Sequence, residues 1–187
     1  MREKMTIGII SGASRSGRLS IKVAKYLEQL FSKQYDVEKV HFLDIHEYNF
    51  PNYVDSNERD QALNERLKDF SDKLIGSHAL VLVSPEYNGG MAGSTKNALD
   101  YFRKEYEKKV FGLVSVSSGT MGGINAMHQM VDFVSYVGGI LNSKRLLVSE
   151  VQGAFDEDGN IKSERLENNA QYFMIELLFL ARNMNKS

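Results

Sequence analysis

Apolar and polar positions along this chain switch repeatedly between two periods, and each switch marks an element. Ile7, Gly8, Ile9 and Ile10 form a compact apolar run ending at Ser11 and Gly12, after which Val23, Ala24, Leu27, Leu30 and Phe31 recur at helical spacing. That pattern predicts a strand, a tight turn and an amphipathic helix. Val37 to Leu43 reads as a second strand, and its mixed polarity suits a place near a sheet edge. Leu63, Leu67, Phe70 and Leu74 restore the helical period, and Ala79 to Val83 is an uninterrupted apolar run, as expected of a central strand buried on both faces. A short helix starting near Gly93 carries Ala98, Leu99 and Phe102, and Val110 to Val116 forms the fourth strand. Ile124, Met127, Val131 and Val134 make the next helix, Gly138 and Gly139 break it, and Arg145 to Val148 supplies the fifth strand. The last helix places Leu166, Ala170, Phe173, Leu177 and Leu180 on one face.

Five strands taking turns with five helices imply a parallel sheet covered on both sides, because a strand reaches a parallel neighbour only through a crossover. The expected fold is a three-layer α/β/α sandwich, and residues 1–187 are read as a single domain, since no linker or repeat interrupts the alternation. The irregular stretches His46 to Ser56 and Val151 to Lys162 are expected outside the sheet, as a lid or as subunit contacts.

Composition removes several chemistries. The absence of Cys excludes thiolate nucleophiles, cysteine zinc sites and redox dithiols, so a redox role requires a borrowed cofactor. With 23 basic against 24 acidic residues the net charge is −1, which leaves no basic face for nucleic acid. No stretch approaches the roughly 20 apolar residues of a membrane helix, and Met5 to Ile10 is too short for a signal-peptide core. A cytoplasmic protein is expected.

In a parallel sheet every strand-to-helix loop emerges at one edge, and ligands bind there where the strand order reverses. Three such loops are chemically unusual. Ser11 to Ser20 is dense in hydroxyls, small residues and Arg and runs directly into a helix, a composition that suits an anion such as a terminal phosphate. The spacing of Gly12 and Gly17 matches the glycines of a P-loop, but Arg18 and Leu19 stand where Lys and Ser/Thr are required, and position 14 lacks the Gly of a dinucleotide fingerprint. An ordinary turn with a serine helix cap accounts for the same residues. Ser84 to Gly93 offers Pro85, Glu86, Tyr87 and Asn88 between small residues, suited to walling a flat aromatic cofactor, although Tyr87 could equally pack and the glycines simply turn. Ser117 to Gly123 lets backbone approach a ligand closely, or is a plain flexible loop. The three follow the first, third and fourth strands, which are neighbours in the order 2-1-3-4-5, and that coincidence favours one shared site.

Together these features resemble the NADPH-dependent FMN reductase family of flavodoxin-like flavoproteins, which includes azobenzene, chromate and quinone reductases. The resemblance rests on Ser14-Arg15 with Arg18, on Ser84-Pro85-Glu86-Tyr87-Asn88 followed by Lys96-Asn97-Ala98-Leu99-Asp100, and on Gly122-Gly123 opening the fourth helix. It implies a flavodoxin-like five-stranded parallel sheet of order 2-1-3-4-5. Ser14, Arg15, Arg18 and Ser20 would hold the FMN phosphate, Pro85, Glu86, Tyr87 and Asn88 would line the isoalloxazine, and Ser117, Ser118 and Gly119 would close its pyrimidine end. It also implies hydride transfer from NADPH or NADH to flavin N5, then electron delivery to a quinone, azo compound, free flavin or metal oxyanion, with no side chain acting as essential acid or base. A homodimer or homotetramer is implied as well. Two positions depart from the family pattern: Ala13 stands where many relatives have Ser, and Thr95 where Leu is usual.

Other motifs carry less. His41, His46, His78 and His128 lack metal-ligand spacing, and the calcium-loop pattern of Asp156, Asp158, Asn160 and Glu167 fails at Ile161, so no metal is expected. No G-x-S-x-G marks a nucleophile, and Met121, Met127 and Met130 are read as packing residues. The rival function is a non-enzymatic electron carrier, but such carriers are commonly strongly acidic, which a net charge of −1 and the arginines of the first loop oppose. A flavin-free scaffold of the same fold is a third reading.

Overall fold

The computed structural model describes residues 4–184. In chain order its elements are β1 (Met5–Ser11), α1 (Ser20–Ser32), β2 (Val37–Asp44), α2 (Ile45–Tyr48), α3 (Gln61–Ile75), β3 (Ala79–Tyr87), β4 (Gly90–Met91), α4 (Gly93–Leu99), β5 (Val110–Val116), α5 (Ile124–Tyr136), β6 (Ile140–Leu141), β7 (Leu146–Val148) and α6 (Glu164–Met184). The long strands run parallel in the order β2-β1-β3-β5, with β6 and β7 both against the outer side of β5. The sandwich read from the sequence is thus the observed class.

Successive residues of a strand face opposite sides, and the two sides of this sheet have separate cores. Ile7, Ile9, Val81, Val83 and Val114 point toward α1 and α6, whereas Ile10, Leu80, Leu82, Phe111 and Leu113 point toward α3, α4 and α5. Both faces of β3 and β5 are buried, which is why those strands read as unbroken apolar runs. Gly112 marks a close approach: a Cβ there would sit 2.5 Å from the Phe173 ring of α6.

The structure refines four expectations. First, β3 extends through Tyr87 and pairs with β4 across a two-residue turn in which Asn88 (φ 50°) and Gly89 (φ 77°) are both left-handed. Asn-Gly is the favoured pair for such a hairpin, so most of the second loop is strand. Second, the expected fifth strand is β7, and an additional two-residue strand, β6, precedes it along β5, with the polar run 142–145 leaving the ladder between them. Third, α4 ends at Leu99, so Phe102 lies beyond the helix in the turn that follows. Fourth, the two irregular stretches are held down. Tyr53 N donates to Asn97 Oδ1 and Asn97 Nδ2 to the Pro51 carbonyl, while Val151 and Phe155 are buried in the core.

Candidate active site

The loops leaving β1, β3 and β5 meet at the carboxyl edge of the sheet around a cavity of about 360 Å³. Each supplies walls: Arg15 and Ser20 from the first, Pro85, Glu86 and Tyr87 from the second, Ser117 and Ser118 from the third. Leu19, Val116 and Val151 add an apolar lining. A larger cavity of about 780 Å³ lies between α4 and α5, but no residue of the first or third loop lines it.

The first loop leaves several polar donors unpaired. Among the described residues, none accepts a hydrogen bond from the backbone N–H of residues 13 to 16. The buried Oγ of Ser11, Nε of Arg18 and Oγ of Ser20 also have no partner. Buried donors left unpaired are costly, and a set of them along a loop that enters a helix is the kind an oxyanion satisfies. A serine helix cap does not explain them: the residue preceding α1 is Leu19, and no side chain caps that end.

Arg18 is held at one end of its guanidinium by Asp44. Its Nη2 donates to Asp44 Oδ2 at 2.5 Å, and both side chains are nearly buried. Asp44 Oδ1 in turn accepts from His46 N, and His46 Nδ1 donates to the Ser14 carbonyl at 2.5 Å, since a carbonyl can only accept. The end of β2 and the start of α2 therefore brace the loop from behind. Arg15 reaches the other way, with its Nε donating to the Tyr87 hydroxyl at 2.7 Å.

Glu86 lines the cavity, and its carboxylate is engaged by α5. Its Oε2 accepts from Asn125 N at 2.8 Å and Ala126 N at 3.2 Å, satisfying two free donors in the first turn of α5. This ties the second loop to the helix that the third loop enters. In the third loop, the carbonyls of Ser117, Ser118 and Gly119 accept from Val151 N, Gln152 Nε2 and Glu150 N. Gly119 N donates to Ser117 Oγ. The 150–152 turn thus fixes this loop.

The structure brings Arg15, Ser20, Pro85, Glu86, Tyr87, Ser117 and Ser118 to one cavity. Ser14 and Gly119 flank it within their loops, Asn88 sits exposed at the hairpin tip, and Arg18 is turned toward Asp44. Sequence reasoning missed Asp44, His46 and Val151, which act across long separations. The one signal available was that Asp44 and His46 follow a strand at the same sheet edge. Met121 is corrected as well: Met127 and Met130 are buried, but Met121 is 70% exposed because Gly122 and Gly123, at φ 63° and 81°, turn the loop around Leu147 and Ser115. Among the described residues no group of three His, Cys, Asp or Glu could hold a metal, and no helix is long and apolar enough to cross a membrane.

Comparison with known proteins gives this geometry its context. The family model for NADPH-dependent FMN reductase matches residues 5–153. A 2-hydroxy-1,4-benzoquinone reductase of Burkholderia is 26% identical over 176 residues, covering 91% of this chain and 92% of that protein. An FMN-dependent NADPH-azoreductase of Staphylococcus haemolyticus is 31% identical over 138 residues, covering 70% of each. Among solved structures, the flavoenzyme NAD(P)H:(acceptor) oxidoreductase FerB from Paracoccus denitrificans superposes with a TM-score of 0.75 at 21% identity, covering 94% of this chain and 97% of that one. That likeness concerns the fold. The family match spans all three loops of the cavity, and the chain belongs to the NADPH-dependent FMN reductase family of oxidoreductases.

Proposed function

We propose that this chain is an NAD(P)H-dependent FMN oxidoreductase that reduces a small quinone or azo compound, with free flavin or a metal oxyanion as further acceptors of the same kind. The observation that carries the reading is the convergence of the three loops on one cavity, where Ser20 brings an unpaired buried hydroxyl and the first loop has further unpaired donors. The names of the quinone- and azo-reducing relatives support the acceptor class. FMN, when bound, supplies the ring that takes up hydride from the nicotinamide and passes electrons on.

The chain's own residues bind and orient. Ser20, Arg15 and the free N–H groups of residues 13 to 16 would hold the phosphate, with Ser14 in the same loop. Arg18 would contribute through its unpaired Nε while Asp44 holds its other end. Pro85 and Tyr87 would wall the ring, Asn88 would place it from the hairpin tip, and the fixed backbone of 117–119 would face its pyrimidine end. No side chain need act as acid or base.

Residues 1–187 are proposed as one FMN-binding domain of a cytoplasmic homodimer or homotetramer.

Purified protein tests the reading. Flavin absorbance bands near about 375 and 450 nm, bleached by NADPH and restored by a small quinone without oxygen, are the expected result. A bound flavin that NADPH leaves coloured would point to a carrier.

A further inference from the structure

We propose that Thr95 is a positioning residue that aims the phosphate-binding loop, by locking the peptide between Gly12 and Ala13; the inference rests on the FMN reading above. A peptide group is planar and trans, so the carbonyl of residue 12 and the N–H of residue 13 point in opposite directions. The Gly12 carbonyl accepts from two hydroxyls of α4, Ser94 Oγ at 2.8 Å and Thr95 Oγ1 at 2.9 Å. Gly12 N donates to the Val83 carbonyl at 2.8 Å, so both backbone polar groups of residue 12 are held. The Ala13 N–H is therefore set facing away from α4, and among the described residues it has no acceptor.

Thr95 is fully buried, and its hydroxyl also lies 3.0 Å from Ser84 Oγ. A hydroxyl carries one proton. With that of Thr95 committed to Gly12, the one proton of Ser84 is shared between Thr95 Oγ1 and the Pro85 carbonyl at 3.1 Å, while Ser84 Oγ accepts from Ala92 N at 3.1 Å. This network joins the start of the first loop to the strand that carries the second. The approach is close enough to require glycine: a Cβ on residue 12 would lie 2.2 Å from Thr95 Oγ1 and 2.8 Å from the Val83 carbonyl oxygen. Ala13 brings no hydroxyl of its own to the loop, so the direction of its N–H is imposed from α4.

A residue that aims phosphate donors should matter for the phosphate and not for the ring. Riboflavin is FMN without phosphate, so flavin-stripped full-length protein titrated with each ligand by flavin fluorescence separates the two effects. Wild type should bind FMN more tightly than riboflavin; equal affinities would remove the FMN-phosphate reading and this inference together. Thr95→Val keeps the shape and removes the donor, and should raise the Kd for FMN about tenfold while that for riboflavin stays within about twofold. Thr95→Ser should recover FMN binding to within about threefold of wild type. An FMN preference unchanged in Thr95→Val, or an equal weakening of both ligands, overturns the role of Thr95 while leaving the FMN reading intact. Should circular dichroism show that Thr95→Val does not fold, Ser94→Ala decides: a selective loss of FMN affinity supports the lock, and none overturns it.

Discussion

Arg15 Nε donates to the Tyr87 hydroxyl at 2.7 Å, joining two loops that stand 72 residues apart in the chain. The guanidinium lies 5.5 Å from the centre of the Tyr87 ring, so a cation and an aromatic wall are presented together at the cavity. Arg15→Ala is expected to weaken FMN binding about tenfold, because a charge-assisted contact to phosphate is lost. Tyr87→Phe leaves Arg15 free to reach the phosphate and should change the Kd by less than about threefold. Fluorescence titration of both variants measures this.

The Arg18–Asp44 pair is a second control point. Only 11% and 10% of the two side chains are exposed, so removing one partner leaves a charge in a poorly solvated place. Asp44→Asn should lower unfolding stability by about 3 kcal/mol without flavin, whereas replacing both partners with apolar residues should cost less than the two single changes added together. Urea unfolding in a double-mutant cycle gives both quantities.

Glu86 acts on α5 through the amides of Asn125 and Ala126. Glu86→Ala should cost about 1 kcal/mol of stability and speed hydrogen exchange at those two amides. Glu86→Gln retains an acceptor and should lose less. Exchange measured by NMR distinguishes this local capping from a general loss of structure.

His41 gives the acid side of the stability profile. Burial, the largest cause, holds its pKa below the ordinary value of 6.5, aided by Lys39 and Lys73 and opposed by its hydrogen bond to the Lys73 carbonyl and by Asp69. The unfolded chain then binds the proton first, so this contribution is complete above pH 6.5 and is lost as pH falls below it. Tyr48 gives the alkaline side. Burial and its hydrogen bond to Asp69 push the phenol up to about 12, so its contribution is present below pH 10 and lost as pH rises from 10 toward 12. Denaturant unfolding across pH should show both limbs, with His41→Gln flattening the first and Tyr48→Phe the second.

What could be read from the sequence follows from the range of the interactions involved. Ala79 to Val83 announces a two-sided strand because burial on both faces is written in consecutive residues. The helices of Leu63 to Leu74 and Ala170 to Leu177 are equally local patterns. The three loops stood out by composition, and their meeting followed from the topology of a parallel sheet. The two-residue strands β4 and β6 were not legible, since two residues display no period, although Asn88-Gly89 carried a hairpin signal. Nor was the engagement of Arg18 by Asp44, or of Gly12 by Thr95: those partners lie 26 and 83 residues apart. The resemblance named candidate residues, and the folded structure shows which of them face the cavity and which pair with other side chains.

The most direct test is a crystal structure of the protein soaked with FMN. The phosphate should lie within hydrogen-bonding distance of Ser20 Oγ and the amides of residues 13 to 16, with the ring against Tyr87 and the backbone of 117–119. A flavin seated instead in the cavity between α4 and α5, with its phosphate remote from the first loop, would contradict the account.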